Sequence, residues 1–167
     1  TSDKTEFHQQ VYGEGLISGV EVVNGYSFYP HIVRRCIDEK LAMFANTDIH
    51  ATTHNNYGSV GNHRTMTLVF AKELTEKAVR KALEKGMTLA YSGGNIAGNA
   101  ELLQDFFKAS VSCKFLSRGK KNSAIYALTN STSIGYKIRV GKRVLELPAF
   151  QTITFHVGKD KEGKDND

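Results

Sequence analysis

Along the first two thirds of the chain, apolar runs alternate with segments of helical spacing. "ISGVEVVNGY" (17–26) is a Val-rich run that closes on the turn dipeptide Asn24-Gly25, and its near-continuous apolar character predicts a strand covered on both faces, as in parallel sheets. Pro30 opens the next segment, where a missing N–H costs nothing at the first turn of a helix. There Ile32, Val33, Cys36 and Ile37 fall on one face, with Arg34, Arg35, Asp38 and Glu39 turned elsewhere. "LAMFA" (41–45) predicts a second strand, ending at the polar turn Thr47-Asp48. Together these make one β–α–β unit.

Beyond it, "ATTHNNYGSVGNH" (51–63) is rich in Gly and Asn and lacks periodicity, so a loop is expected, and loops of about a dozen residues often carry function. "RTMTLVFA" reads as a strand. Thr75 is placed to cap a helix over "EKAVRKALEK", with Val79, Ala82 and Leu83 as its apolar stripe and Gly86 as its stop. "MTLAYS" is again strand-like and "GGNIAGN" reads as a loop. Asn99 is placed to cap a helix that packs through Leu102, Leu103, Phe106 and Phe107.

From Ser110 the texture changes. "SVSCKFL", "SAIYALTN", "IGYKIRV" and "TITFHV" are short alternating stretches with turn residues between them and no helix, the pattern of an antiparallel β unit. The expected organisation is a partial β/α domain over 1–109, an antiparallel β domain over 110–158 and a disordered charged tail over 159–167. Two or three β/α strands are too few to close an eight-stranded barrel. The α/β part therefore reads as the end of a larger domain.

Composition narrows the classes. With 40% hydrophobic residues in 167, the chain can bury a core. No apolar run approaches the ~20 residues that span a bilayer, so no membrane role is expected. The opening "TSDKTEFHQQ" lacks a signal-peptide pattern and an initiating Met. It reads as the start of a processed product or an excised piece and leaves the compartment open. The net charge of +5 reads as spread fairly evenly. Its densest cluster, Arg118-Gly119-Lys120-Lys121, is short and falls at a hairpin loop, which argues against nucleic acid as a broad-face ligand. Cys36 and Cys113 stand in apolar settings without CxxC spacing and read as buried thiols.

The chemistry gathers at strand ends. In parallel β/α folds, reactive residues collect beyond the carboxyl ends of strands. Asn24 ends the first strand and Asp48-x-His50 the second. Residues i and i+2 of an extended segment point to one side, so a carboxylate and an imidazole can meet there, a mixed O/N set suited to zinc, manganese or iron. His54 stands four residues after His50, but Ala51 occupies the Glu position of a metalloprotease helix. "YSGGNIAGN" (91–99) is the single Gly-rich candidate for a phosphate loop, and it lacks the Lys and Ser/Thr that such a loop uses.

The ordered motifs "GVEVVNGYSFYP", "LAMFANTDIHA" and "HRTMTLVFAKE" resemble the C-terminal half of the PHP (polymerase and histidinol phosphatase) domain, in its bacterial phosphodiesterase-like branch, over about residues 8–115. The resemblance implies the C-terminal portion of a distorted β/α barrel followed by the small β domain. It also implies hydrolysis of phosphate esters at two or three divalent metal ions, which lower the pKa of bound water and neutralise phosphate oxygens. Asp48 and His50 map onto its last metal-binding motif. Arg64 and His63 are the candidate phosphate-facing catalytic pair, and Asn24, Glu21 and His54 the candidate supporting or substrate residues. The opening His-x-His, the Glu ligand and the middle histidines of the family have no counterpart in this chain. The missing N-terminal half is thus an expected partner, and little activity is expected without it. The competing expectation is a non-catalytic module whose β domain binds a glycan or protein through Tyr126, Tyr136, Phe150 and Phe155.

Overall fold

The structure, a computed structural model, describes residues 4–57, 63–119 and 123–158. The chain divides into two compact units, Thr1–Leu103 and Gln104–Asp167.

In the first unit, strand β1 (Gly19–Asn24) runs parallel to β3 (Ala42–Asn46), with helix α2 (Pro30–Glu39) as the crossover. This is the expected β–α–β unit. A short strand β2 (Ser27–Phe28) folds back antiparallel on β1. Val22, Val23, Ile32, Cys36, Met43 and Ala45 are buried together between strands and helix. Gly19 is required where the strands start: a Cβ there would meet the Ala42 carbonyl oxygen at 2.7 Å as well as the Phe44 ring. Ile37, expected on the buried face of α2, is exposed, while its neighbour Cys36 turns to the core and the helix ends at a left-handed Lys40 three residues on.

A second sheet follows, in the order β4-β5-β6 and antiparallel throughout: β4 (Met66–Val69), β5 (Thr88–Ser92) and β6 (Asn95–Gly98). Helix α4 (Glu76–Glu84) joins β4 to β5; the Thr75 hydroxyl caps it by accepting from the Ala78 N–H, and Gly86 follows with φ of 66°. The segment "GGNIAGN" is not a loop. Gly93 and Gly94, both at positive φ, make a two-residue hairpin turn of the kind that matches strand twist, and β6 returns along β5. The phosphate-loop reading falls with it. The long loop also departs from expectation, since a one-turn helix α3 (Thr53–Tyr57) forms inside it. Helix α1 (Glu6–Gly13), capped by Thr5, was not legible as a periodic segment; Lys4 beside it holds Glu39 of α2 at 2.7 Å.

The edge of β3 facing away from β1 is buried, so its backbone groups need partners. They find threonine hydroxyls of the second sheet. The Met43 N–H donates to Thr88 Oγ1 at 3.2 Å, the Ala45 N–H donates to Thr67 Oγ1 at 2.9 Å, and that hydroxyl donates to the Ala45 carbonyl at 3.1 Å. Side chains thus do the work of a ladder strand.

Helix α5 (Ala100–Ser110), capped by Asn99 Oδ1 accepting from the Glu101 and Leu102 N–H groups, spans the division between units. In the second unit, β7 (Val111–Arg118), β8 (Ala124–Asn130) and β11 (Thr152–Val157) form one antiparallel sheet in the order β11-β8-β7. A hairpin of β9 (Tyr136–Val140) and β10 (Arg143–Leu147) forms the other. The stretch "RVLEL" makes a strand not anticipated from the sequence. Leu128, Leu147 and Phe155 form the core between them, with Tyr126 and Tyr136 packed against it. Phe107 meets Tyr136 edge-on at 5.4 Å. Of the four aromatics offered as a binding face, only Phe150 is exposed. Among the described residues, no helix is long and apolar enough to cross a membrane. The proposed disordered tail, 159–167, lies outside the described residues, as do Lys120 and Lys121.

Two further expectations need correction. Charge is not evenly spread. Residues 104–167 carry twelve Lys and Arg against six Asp and Glu, whereas residues 1–103 carry ten against eleven. The second unit therefore holds the positive charge. And only Cys36 is buried; Cys113 is exposed on β7, because β7 is an edge strand and its inward face is only partly covered.

Thr67→Val, which keeps shape and removes the hydroxyl, is expected to lower stability by about 1–3 kcal/mol, the cost of leaving a buried backbone pair unsatisfied; Thr67→Ser should recover most of it in a urea titration. Burial pushes the Cys36 thiol up, with Glu39 adding to the shift and Arg35 opposing it, so less thiolate is present at any given pH. Native protein should therefore take up one equivalent of a thiol reagent at Cys113, and a second, at Cys36, only after unfolding.

Candidate functional site at the strand rim

The carboxyl ends of β1 and β3 lie side by side because the strands are parallel, with Asn24 paired in register with Asn46. Glu21, half-buried three residues earlier on β1 and beside an irregularity in its register, accepts from both amides: Asn46 Nδ2 at 2.9 Å and Asn24 Nδ2 at 3.3 Å. A carboxylate thus cross-links the two strand ends. Asn46 was not singled out in the sequence; its signal is its place in the "NTDIH" run, opposite Asn24 once the register is known.

Asp48 and His50 stand just past β3, exposed, with His50 Nε2 and Asp48 Oδ1 3.6 Å apart. They come together, but not by strand alternation. Asp48 has φ of 49°, so the chain leaves β3 through a left-handed residue, which Asp tolerates better than most. Two ligands each ~2.1 Å from a tetrahedral zinc ion stand roughly 3.4 Å apart, so the observed spacing suits two corners of one cation. The residues present do not suit a whole centre: among the described residues, no three His, Cys, Asp or Glu side chains converge. Asp48 and His50 fit part of a metal site and no more.

The other candidates surround this rim without joining the pair. His54 is exposed on α3. That helix is pinned to the β1–β2 turn, where Tyr26 donates its hydroxyl to the Asn56 carbonyl at 3.1 Å and its ring lies 5.1 Å from that of Tyr57. His63 is exposed with its ring edge-on to Tyr91, 6.1 Å between centroids, and Arg64 beside it is exposed. Arg64 precedes a buried knot that sequence reading did not find. Thr65 Oγ1 and Ser92 Oγ share a hydrogen bond of 2.6 Å, and the Thr65 hydroxyl also bonds the carbonyl of Gly25, the turn residue after Asn24. The register Met66↔Tyr91 places Thr65 and Ser92 opposite each other. That pairing was invisible while β4 and β5 read as separate strands. The knot ties the end of β1 to the start of β4 and so fixes the backbone on which Arg64 stands.

The contrast between exposed pair and buried knot is measurable. Asp48→Asn, which keeps a residue that tolerates the left-handed backbone, and His50→Ala are each expected to leave unfolding free energy within about 0.5 kcal/mol of the parent. Thr65→Val should lower it by about 1–3 kcal/mol, since the Gly25 carbonyl loses its better donor. Denaturant titration of the three variants gives the comparison.

No family model matches the chain, and no curated protein matches it. Among solved structures, a two-domain protein from Bacteroides vulgatus ATCC 8482, described as containing a predicted PHP-like metal-dependent phosphoesterase, is similar with a TM-score of 0.86 and 31% identity. The similarity takes in 98% of this chain and 50% of that one. This chain thus spans about half the length of its relative, in keeping with a C-terminal half. The α/β architecture with small antiparallel sheets is common to both, while the described strands do not close a barrel. The resemblance read from "EVVNG", "NTDIH" and "HRTMTLVFAKE" is therefore borne out: the chain is similar to one half of a two-domain protein that contains a predicted PHP-like phosphoesterase.

Proposed function

We propose that this chain supplies the Asp-x-His portion of a phosphoesterase site that uses divalent metal, zinc, manganese or iron, and acts on phosphomono- or phosphodiesters. The remaining ligands come from a companion half of the same kind of protein. One observation carries the reading: Asp48 and His50 stand 3.6 Å apart at the end of a parallel strand, on a chain similar to half of a two-domain protein that contains a predicted metal-dependent phosphoesterase.

The residues take roles that their positions support. Asp48 contributes a negative charge and an oxygen, and His50 a neutral nitrogen, to the part of the site that this chain holds. Glu21 fixes the rim beneath them through Asn24 and Asn46. Arg64 presents a planar fork suited to two phosphate oxygens, with His63 next to it and His54 at the margin. With two donors only, the chain by itself holds an ion loosely.

The 167-residue chain, measured with excess manganese or zinc, is expected to hydrolyse bis(p-nitrophenyl) phosphate negligibly. In the protein that joins it to its companion half, Asp48→Ala and His50→Ala should each lower turnover by more than about a hundredfold and reduce bound metal in parallel, since a ligand supplies both charge and geometry. His54→Ala should be mild. Full metal content and full rate in the Asp48 variant would overturn the assignment.

A further inference from the structure

The second unit contains a cleft of about 440 Å³, lined by Ser123, Lys142, Arg143, Leu145, Phe155 and His156 among others. It opens at the end of the two sheets, where the β9–β10 turn faces the end of β11. Its volume falls in the range of small-molecule sites, roughly 300–1,000 Å³.

Arg143 is out of place by the logic of the sheet. Side chains alternate along a strand, so Arg143 stands on the same face of β10 as Leu145 and Leu147, and Leu147 is fully buried in the core. Its cross-strand partner Val140 belongs to that face as well. Arg143, exposed at the turn end of the strand, puts a charge in line with the apolar Val140, Leu145 and Leu147, while Val144 puts an exposed apolar side chain on the opposite face; such breaks of pattern gather at functional sites. Arg143 Nη1 donates to the His156 carbonyl at 3.3 Å. Both residues line the cleft, and that single bond leaves most of the five guanidinium donors available.

Lys142 lies in the adjoining two-residue turn after Gly141, at positive φ. Among the described residues it has no ion-pair or hydrogen-bond partner. Among the described residues of the unit there is little acid for it, since Glu146 is taken by Lys137 at 3.7 Å and the other carboxylate between 104 and 158 is Asp105 on α5. Two cations thus share one rim over a floor of Val140, Leu145, Phe155 and Val157.

We propose that this cleft binds a small molecule bearing an oxyanion, a phosphate or carboxylate group, on an apolar body. Arg143 and Lys142 take the oxyanion, by the forked and point-charge contacts these side chains make with such groups, and Phe155 with Leu145 takes the body. The concave apolar floor sets it apart from a counter-charge surface for a polyanion, which needs an extended basic face. The site is independent of the Asp48 rim.

The test is a titration of the full chain, followed by amide shifts in nuclear magnetic resonance, with phenyl phosphate, benzoate, inorganic phosphate, benzyl alcohol and a short DNA duplex as probes. Saturable shifts with phenyl phosphate or benzoate, confined to 140–145 and 155–158, are expected. The tighter of the two identifies the oxyanion. Inorganic phosphate should bind at least about tenfold more weakly, and benzyl alcohol should not saturate. Arg143→Gln and Lys142→Gln should each weaken the aromatic anion by at least about tenfold, with thermal unfolding unchanged in the Lys142 variant, whose side chain is exposed. Asp48→Ala should bind as the parent does. No saturable shift below about 20 mM, equal binding by both variants, or equal binding of inorganic phosphate or a short DNA duplex at the same residues would overturn the proposal.

Discussion

Everything in the first unit depends on how the buried edge of β3 is satisfied. A parallel strand pair leaves one strand with an unpaired row of N–H and C=O groups, and burying such a row is prohibitive without partners. Here the partners are the hydroxyls of Thr67 and Thr88, reaching from a sheet that never joins the ladder of β1 and β3. The two sheets are thereby fixed relative to each other along the strand as well as across it. The carboxyl ends of β1 and β3 acquire a defined neighbour in the start of β4 for the same reason.

That arrangement converts local sequence choices into a shaped rim. Glu21 ties Asn24 to Asn46, and the Thr65–Ser92 pair ties Gly25 to β4 and β5. Beneath the exposed Asp48 and His50 there is consequently a firm polar base, with each amide and hydroxyl engaged. An exposed pair on such a base contributes little to stability and is free to serve chemistry, whereas the base contributes stability and geometry. The second unit shows the same division of labour in another form: a core of Leu128, Leu147 and Phe155, with a charge placed where one more apolar residue would have extended it.

Much of this was legible in the residues. Continuous apolar runs gave β1 and β3, helical spacing gave α2, and the caps at Thr75 and Asn99 stand where side-chain chemistry puts them. The Asp48–His50 encounter followed from strand-end logic, although the route differs, because a left-handed residue rather than extended alternation brings the groups together. What could not be read was long-range register. The β5–β6 hairpin hid behind two glycines that also suit a loop, and without the β4–β5 pairing Thr65 and Ser92 were two unremarked hydroxyls. β10 hid for a related reason: Arg143 on the inward side and the exposed Val144 on the outward side both break the alternation by which short strands are recognised. Helix α1 buries no residue, so it lacks the apolar stripe that reading by periodicity requires. The concentration of positive charge in the second unit became visible only when the chain was divided where its contacts divide it.

Asp48 at φ of 49° is filtered twice. Backbone sterics admit chiefly Gly, Asn and Asp there, and only Asp adds a negative charge. In a lineage of this fold, Gly or Asn at this position would record a rim whose shape was kept after its charge was given up. A bulky or β-branched residue would record that the turn itself had been rebuilt. The identity of one residue therefore reports separately on architecture and on reactivity, and it distinguishes a silenced descendant from a refolded one.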